Sequence, residues 1–284
     1  MLSPEKIKAA LLAVSAAGFL ILANVLVFTG AAAEPPAFEP PPASSEVEGQ
    51  EPAPAKSPDL VGHWKLDEKE GAAVADLSGR GHAGKIVGEV SRGEGKAGGA
   101  FSFDGKGGHV ELPNSKDLDA VQEGSYSISV WFKPQDVPPG KESENNANYG
   151  IVIKTGWHEG LHFSNEGKFV MTHWLQGKTD DEPEWKGAGT WEQTYEAGKW
   201  YHVVGVVDKG SGQTRIFVNG EQVNTAEWTP NAAARKFETS TWKIGIGSPG
   251  AEQWSWPTKG SVDDVRIYNR PLSKADVKAL FEGK

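Results

Sequence analysis

The feature that most constrains the fold is a dense succession of short strand-like segments between residues 59 and 284. Residues 125–133 read SYSISVWFK, in which every second residue from Tyr126 to Phe132 is apolar. This period of two is typical of a half-buried β-strand. Ten further segments have strand-like composition: 61–66, 101–103, 110–112, 150–154, 161–163, 168–174, 200–208, 213–218, 242–246 and 262–268. So many short strands predict one β-sandwich or jelly roll.

Turn and helix signals complete this pattern. The dipeptide Asn219-Gly220 lies between two strand-like segments. It predicts a tight hairpin, because both residues tolerate positive φ. Outside the N-terminus only the last segment predicts a helix. Ser273 and Asp276 resemble a capping box at its start, and Gly283 can end it.

Composition excludes several classes of function. The chain has 38 acidic and 29 basic residues and a formal net charge of -9. An acidic surface repels phosphate backbones, so nucleic acid is not an expected partner. The chain has no cysteine. This excludes disulfides, thiolate nucleophiles and Cys-ligated zinc.

Residues 1–33 have the pattern of an export signal or a single-pass membrane anchor. Lys6 and Lys8 precede an uncharged run, and the next charged residue is Glu34. This charge order places the N-terminus in the cytoplasm and the rest outside, attached to or released from the membrane. The alanines at 31–33 favour a cleaved signal peptide, whereas the length of the apolar run favours an uncleaved helix. Both interpretations stay open.

Two further regions follow this N-terminal segment. Residues 34–58 are rich in Pro, Ala and Glu. That composition cannot build a core and predicts a disordered, extended linker. Residues 59–284 hold all the strand signals and are predicted to form the folded domain.

Five segments of this domain resemble, in family order, the laminin-G-like jellyroll family of the concanavalin A-like superfamily. They are DLSGRGHAG (76–84), FSFDGKGGHVELP (101–113), YSISVWFKP (126–134), WYHVVGVVDKGSGQTRIFVNGEQV (200–223) and GSVDDVRIYNRPLSKADVKALF (260–281). Residues 135–195 match least well. The predicted fold is therefore an all-β, concanavalin A-like jelly-roll sandwich of two antiparallel sheets. It is preceded by the membrane or signal helix and ends in a short helix.

A zinc-protease pattern, H-E-x-x-H, occurs at residues 158–162. In that class of enzyme a helix places both histidines on one face. Here Gly156 and Gly160 and strand-like flanking sequences predict a hairpin instead, in which the two imidazoles need not converge. The pattern is therefore not expected to bind zinc.

The resemblance also raises glycoside hydrolysis, because the superfamily contains glucanases. That chemistry needs two carboxylates across the scissile bond. Relatives with this activity carry alternating acids on a groove-facing strand. Here Asp180, Glu182 and Glu184 alternate, but in a loop-like segment that contains Pro183. The prediction is a non-catalytic module, with a glycan-cleaving hydrolase as the enzymatic alternative.

Carbohydrate binding is the predicted function, since sugars stack their apolar faces on aromatic rings. The predicted ligand-binding residues are Trp157, Trp174, Trp191, Trp254 and His173, in divergent or loop-like segments. The competing interpretation is that these tryptophans pack together as a cap over the sandwich. A protein-binding adhesion or scaffold domain is the alternative function, so the partner is a glycan or an extracellular protein. Three strand tryptophans are predicted to be core: Trp64, Trp131 and Trp200.

The resemblance further implies one calcium ion at the edge of the sandwich. Asp263 is the first candidate ligand, because alternation places it coreward with Val265, where a carboxylate needs a partner. Asp76 and Asp104 are the other candidate ligands, although each also fits an Asx turn. The competing partners of Asp263 are Arg80 and Arg266.

Overall fold

The computed structural model describes residues 57–139, 148–154, 158–178, 183–236, 240–248 and 255–284. The predicted signal or anchor segment and nearly all of the predicted linker lie outside these residues. Within the described ranges, no helix is long and apolar enough to cross a membrane.

The described residues form eighteen strands, two α-helices and a 3₁₀ turn at Val121–Glu123. In chain order the strands are β1 (Leu60–Trp64), β2 (Ala73–Val74), β3 (Gly84–Val87), β4 (Ser91–Glu94), β5 (Gly99–Asp104), β6 (His109–Glu111), β7 (Tyr126–Pro134), β8 (Asn148–Lys154), β9 (Glu159–Ser164), β10 (Phe169–Thr172), β11 (Trp174–Leu175), β12 (Glu184–Trp185), β13 (Ala188–Gly189), β14 (Tyr201–Asp208), β15 (Gln213–Val218), β16 (Glu221–Glu227), β17 (Trp242–Ile244) and β18 (Lys259–Tyr268). The helices are α1 (Lys116–Ala120) and α2 (Lys274–Phe281).

The strands build two eight-stranded sheets and a two-stranded ribbon. Sheet I has the order β16-β15-β14-β7-β18-β5-β4, with β1 also paired to β18. Sheet II has the order β13-β10-β9-β8-β17-β6-β3-β2, and β11 pairs with β12 in the ribbon. The strand pairs are antiparallel. This arrangement confirms the predicted all-β sandwich of antiparallel sheets.

The main core lies between the sheets. Tyr126, Ile128, Val130 and Phe132 of β7 are fully buried there, which confirms the alternation that predicted this strand. They share one hydrophobic cluster with residues of sheet II such as Phe163. Burying an aliphatic or aromatic side chain of this kind contributes about 1.5–3 kcal/mol.

Helix α2 covers part of the outer face of sheet I. Its capping box, formed by Ser273 and Asp276, confirms the predicted start of the helix. A second apolar cluster joins Val277 and Leu272 to outward-facing residues of β14 and β15. Phe281 also stacks on Trp131, with ring centroids 5.8 Å apart. The helix therefore closes the apolar part of that face.

The three tryptophans predicted as core have different surroundings. Trp64 is fully buried, and its indole N–H donates to the carbonyl of His82 at 2.8 Å. Trp131 is buried on the outer face of sheet I. Trp200 is half-buried, with the Lys133 ammonium 5.0 Å from its ring centroid. The prediction is therefore confirmed fully only for Trp64.

Local turn chemistry agrees with the sequence at the β15–β16 hairpin. Asn219 and Gly220 have φ of 52° and 85°, as the predicted turn requires. Helix α1 was not predicted, because five residues are too few for a helical period. Ser115 caps it by accepting a hydrogen bond from the Leu118 N–H at 3.2 Å.

Candidate functional site

The candidate site lies on an antiparallel hairpin at one edge of sheet II. Met171 of β10 pairs with Ala188 of β13, and Trp174 of β11 pairs with Trp185 of β12. Both pairs belong to one register, so the ribbon continues the edge of the sheet. The predicted strand at 168–174 thus appears as two strands, β10 and β11, separated only by His173.

The register decides which side chains face outward. Met171 and Ala188 belong to the core cluster between the sheets. Because side chains alternate along an extended strand, Gly187, Gly189 and Trp185 face away from that core. Trp174 lies directly opposite Trp185 and therefore shares its face.

Two tryptophan rings pack against the outward-facing glycines. A β-carbon at Gly189 would lie 2.3 Å from the Trp191 ring, and one at Gly187 would lie 2.2 Å from the Trp185 ring. Each ring therefore occupies the space that a larger residue would fill. Trp185 and Trp191 are nonetheless 44% and 43% exposed. Each ring has one side against backbone and keeps much of its surface open to solvent.

The two rings also come close to each other. Their centroids are 6.3 Å apart and the ring planes are inclined by 52°. Residues six apart in an extended segment have α-carbons about 20 Å apart, so the rings must lean toward each other over the glycines. We call Trp174, Trp185 and Trp191 the tryptophan ledge. Trp174 is its half-buried member.

Hydrogen bonds hold the ledge to the sandwich. The Lys168 ammonium donates to the carbonyl of Trp191. The side-chain amide of Asn224, on the edge strand β16 of sheet I, donates to the carbonyl of Gly189 at 2.8 Å. The edges of both sheets therefore meet beneath the ledge, which fixes the backbone that carries it.

A buried polar network anchors the same hairpin from inside. Glu159 is 1% exposed, and one carboxylate oxygen accepts hydrogen bonds from Tyr126 and from His173 Nδ1, the latter at 2.7 Å. Its other oxygen accepts from the backbone N–H of Trp174 at 2.9 Å. Burial and the Glu159 carboxylate raise the pKa of the Tyr126 hydroxyl well above its ordinary value. Glu159 thus ties the start of β11 to the core.

The predicted ligand-binding residues fare differently. Trp174 and Trp191 come together in the ledge, whereas Trp157 and Trp254 lie outside the described residues. The structure corrects the prediction for His173. This side chain is 1% exposed and faces Glu159, because the register of the hairpin directs it inward. It therefore does not line the ledge.

Trp185 is the ledge residue that the prediction missed. A signal for it exists in WKGAGTW, residues 185–191, where two tryptophans flank two glycines at a spacing of two. In an extended segment this spacing places all four residues on one face. The two glycines between the tryptophans then leave room for the rings to pack against the backbone.

The H-E-x-x-H residues lie in a hairpin, as predicted: His158 is in the turn before β9, with φ of 58°, and Glu159 to His162 belong to β9, which pairs with β8. Glu159 faces the core, while His162 lies on the other face of β9. The ring of His158 stacks on Trp256 with centroids 3.8 Å apart. Burial, with a smaller effect of His158, lowers the pKa of His162 to about 3. This geometry does not match a zinc-protease site.

The three predicted calcium ligands do not meet. Asp76 accepts hydrogen bonds from the backbone N–H groups of His63, Ser78 and His82. These bonds hold the loop that follows Asp76 against β1. Asp104 binds Lys106 in an exposed turn. In the described part of the chain, no three His, Asp or Glu side chains are grouped so that they could hold a metal. The three predicted carboxylates therefore do not form one shared calcium site.

Asp263 is buried, as predicted, but on the opposite face. It pairs with Trp131 in the ladder, and a bulge follows at Asp264, which has φ of 49°. The bulge shifts the alternation, so Asp263 does not share the face of Val265. One oxygen of Asp263 accepts from the backbone N–H of Lys96 at 2.7 Å, and the other is buried without a partner. Burial raises the pKa of Asp263 to about 6.

Neither arginine predicted as a competing partner reaches Asp263. Arg266 pairs with Asp264 at 2.9 Å. Arg80 donates to the carbonyl of Leu60 at 2.7 Å. Backbone N–H groups, rather than a guanidinium, therefore satisfy the Asp263 carboxylate in part.

Comparison with known families decides the classification. A family model described as the concanavalin A-like lectin/glucanases superfamily matches residues 104–278. The chain belongs to this superfamily. The match confirms the laminin-G-like resemblance, and the matched residues include the hairpin that carries the ledge. No curated protein matches the chain.

Solved structures share the concanavalin A-like fold at low sequence identity. The binding domain of botulinum neurotoxin DC, in complex with rat synaptotagmin II, is 16% identical with a TM-score of 0.58, over 79% of this chain and 51% of that one. Domain 4 of an extracellular arabinanase from Geobacillus stearothermophilus, in complex with arabinotriose, is 20% identical with a TM-score of 0.53, over 78% of this chain and 98% of that one. The chain spans about half the length of the neurotoxin binding domain.

Proposed function

We propose that this protein is a non-catalytic carbohydrate-binding module and that the tryptophan ledge is its binding surface. One observation carries the proposal: the Trp185 and Trp191 rings pack against glycines and are 44% and 43% exposed. Exposed aromatic clusters on a soluble domain are typical of binding surfaces. Flat rings with an open face suit the C–H faces of sugars.

Polar side chains beside the rings supply hydroxyl partners. Glu192 and Gln193, both exposed, follow Trp191. Carboxylate and amide oxygens accept from sugar hydroxyls, and an amide N–H donates to them. Binding then needs two elements, stacking on the rings and hydrogen bonding at their rim, and both are present on one hairpin.

The arrangement of acids favours binding over hydrolysis. Within the described residues the two fully buried acids are Glu159 and Asp263, which lie in different sheets. Glu159 is enclosed by three donors beneath the ledge and cannot reach a ligand. Glycoside hydrolysis needs two carboxylates flanking one bond. We therefore propose glycan binding as the function and keep glycan cleavage as the alternative.

The proposed location is outside the cytoplasm, at a membrane or released from it. Its support is the order of charges around the apolar run at residues 1–33. The relatives suit such a role, since one is a domain of an extracellular enzyme solved with arabinotriose. Another is solved with a protein receptor. An extracellular protein partner is accordingly the competing outcome of the test below.

A glycan array with the full-length protein tests the proposal. We expect Trp185→Ala and Trp191→Ala each to lower affinity at least about tenfold, because each removes one stacking ring. Leu77→Ala is the matched control: Leu77 is also 44% exposed but lies outside the hairpin. It should bind like the wild type.

Two outcomes would contradict the proposal. One is an array on which the wild-type protein binds no glycan. The other is glycan binding that both tryptophan variants retain in full. If instead the tryptophan variants lose binding to a protein and not to any glycan, the ledge is a protein-binding surface.

A further inference from the structure

We propose that the ledge selects a single, uncharged glycan chain rather than a crystalline polysaccharide surface or an acidic polysaccharide. This inference rests on the proposed function and names the class of ligand for the same site. Two independent features carry it. They are the relative tilt of the exposed rings and the charges around them.

The tilt excludes a flat ligand. The planes of Trp185 and Trp191 are inclined by 52° at a centroid separation of 6.3 Å. A crystalline polysaccharide presents sugar rings in one plane, and only coplanar aromatic rings can contact several of them at once. Inclined rings instead fit a free chain whose neighbouring sugars are turned relative to each other.

The two rings are held at this inclination. Each packs against its own glycine, Gly187 or Gly189, with no room for a β-carbon between ring and backbone. The backbone at Trp191 is fixed in turn by the hydrogen bond from Lys168. Bringing the rings into one plane would lift at least one of them from its glycine. The ledge is therefore preorganised for a turned chain, which lowers the entropic cost of binding.

The charges around the rings do not favour an anionic ligand. Lys186, beside Trp185, pairs with Glu184 at 3.3 Å. Lys168, which binds the Trp191 carbonyl, lies 3.8 Å from Glu166. Each of these ammonium groups already faces a carboxylate. Recognition of sulfate or uronate groups requires cations that are available to the ligand.

The wider segment is acidic as well. Residues 166–193 contain six acidic and three basic side chains. Such an excess repels a polyanion at low ionic strength. Stacking on indole faces depends little on salt, so an uncharged chain is bound through interactions that ionic strength leaves intact.

Three sets of probes test the inference with the full-length protein. The first is soluble arabinan with arabino-, xylo- and cello-oligosaccharides, measured by calorimetry at low and high salt. The second is crystalline cellulose and chitin, measured by depletion from solution. The third is polygalacturonate and heparin. We expect binding to at least one soluble neutral chain, with a Kd that changes less than about twofold between the two salt concentrations.

Trp191→Ala, run on every probe, assigns the binding to the ledge. Depletion by crystalline cellulose or chitin that Trp191→Ala abolishes would overturn the inference and leave the proposed function intact. Salt-sensitive binding to heparin or polygalacturonate that Trp191→Ala abolishes would do the same. If no probe of any class binds, or if Trp191→Ala binds like the wild type, the proposed function fails and the inference fails with it.

Discussion

Replacing Gly189 with alanine tests whether the glycine beneath Trp191 creates the binding surface. The new methyl carbon would lie 2.3 Å from the Trp191 ring, whereas carbon atoms in contact prefer about 3.5–4.0 Å. The ring must therefore retreat by more than about 1 Å. The three atoms nearest to the methyl group all belong to this ring, which is 43% exposed and can move toward solvent.

The expected result separates affinity from stability. A displaced ring no longer faces the ligand together with Trp185, so we expect glycan affinity to fall about tenfold, equivalent to about 1.4 kcal/mol. Gly189 has no positive φ. Alanine there restricts the unfolded chain, which stabilises proteins by about 0.4–1 kcal/mol and offsets the lost ring contact. The free energy of unfolding should therefore stay within about 1 kcal/mol of wild type.

Calorimetric titration and urea unfolding of the same samples measure the two quantities. Gly93→Ala is the control, since a β-carbon at Gly93 meets no atom within 4 Å and the residue lies on β4 of the other sheet. It should leave glycan affinity unchanged and raise the free energy of unfolding by about 0.4–1 kcal/mol, because alanine restricts the unfolded chain. If Gly189→Ala binds as tightly as wild type while Trp191→Ala does not, the ring does not depend on its glycine and the reasoning is refuted.

Three further predictions concern Glu159, Asp263 and calcium. Glu159→Gln should lower the free energy of unfolding by about 2–4 kcal/mol, since a carboxamide cannot accept from all three buried donors. A double-mutant cycle with Tyr126→Phe, measured by urea unfolding, should show coupling between the two residues. If Glu159→Gln changes the free energy of unfolding by less than about 0.5 kcal/mol, the prediction is wrong. Because the folded-state pKa of Asp263 is raised from 3.8 to about 6, its contribution to stability is lost as pH rises through about 6. Relative to wild type, Asp263→Asn should therefore be more stable at pH 7 than at pH 4 by roughly 2–3 kcal/mol in urea unfolding, and a difference independent of pH would refute this. Because Asp76, Asp104 and Asp263 do not form one shared site, chelation by EDTA should leave Tm and glycan binding unchanged. A fall in either quantity would contradict this prediction and show a metal site elsewhere in the chain.

The fold was largely predictable because its signals are local. Alternation in β7 places its apolar side chains in the core between the sheets, and the Asn219-Gly220 turn and the Ser273 cap are set by a few neighbouring residues. Each of these features depends on chain conformation over fewer than about ten residues. The sequence therefore predicted most of the strands, the hairpin and the C-terminal helix without any knowledge of long-range pairing, but it missed the short strands β2, β3, β4, β12 and β13.

The site was only partly predictable because it depends on register. The bulge at Asp264 places Asp263 on the opposite face of β18 from Val265, and no residue type in the sequence predicts a bulge there. His173 lies in the predicted strand 168–174, but only the pairing of that strand shows that it faces Glu159 rather than solvent. Trp185 was not among the predicted ligand-binding residues, because its role follows from the spacing of WKGAGTW as a unit rather than from the residue alone.

The ledge differs from a pocket assembled from distant loops, because seven consecutive residues, 185–191, carry both rings and both glycines. Its integrity therefore depends on parity along the chain. Inserting or deleting one residue between Trp185 and Trp191 would turn one ring toward the core and the other toward solvent. Inserting two would preserve the facing of both rings while lengthening the gap between them. Insertions or deletions of an even and of an odd number of residues should thus have opposite consequences here.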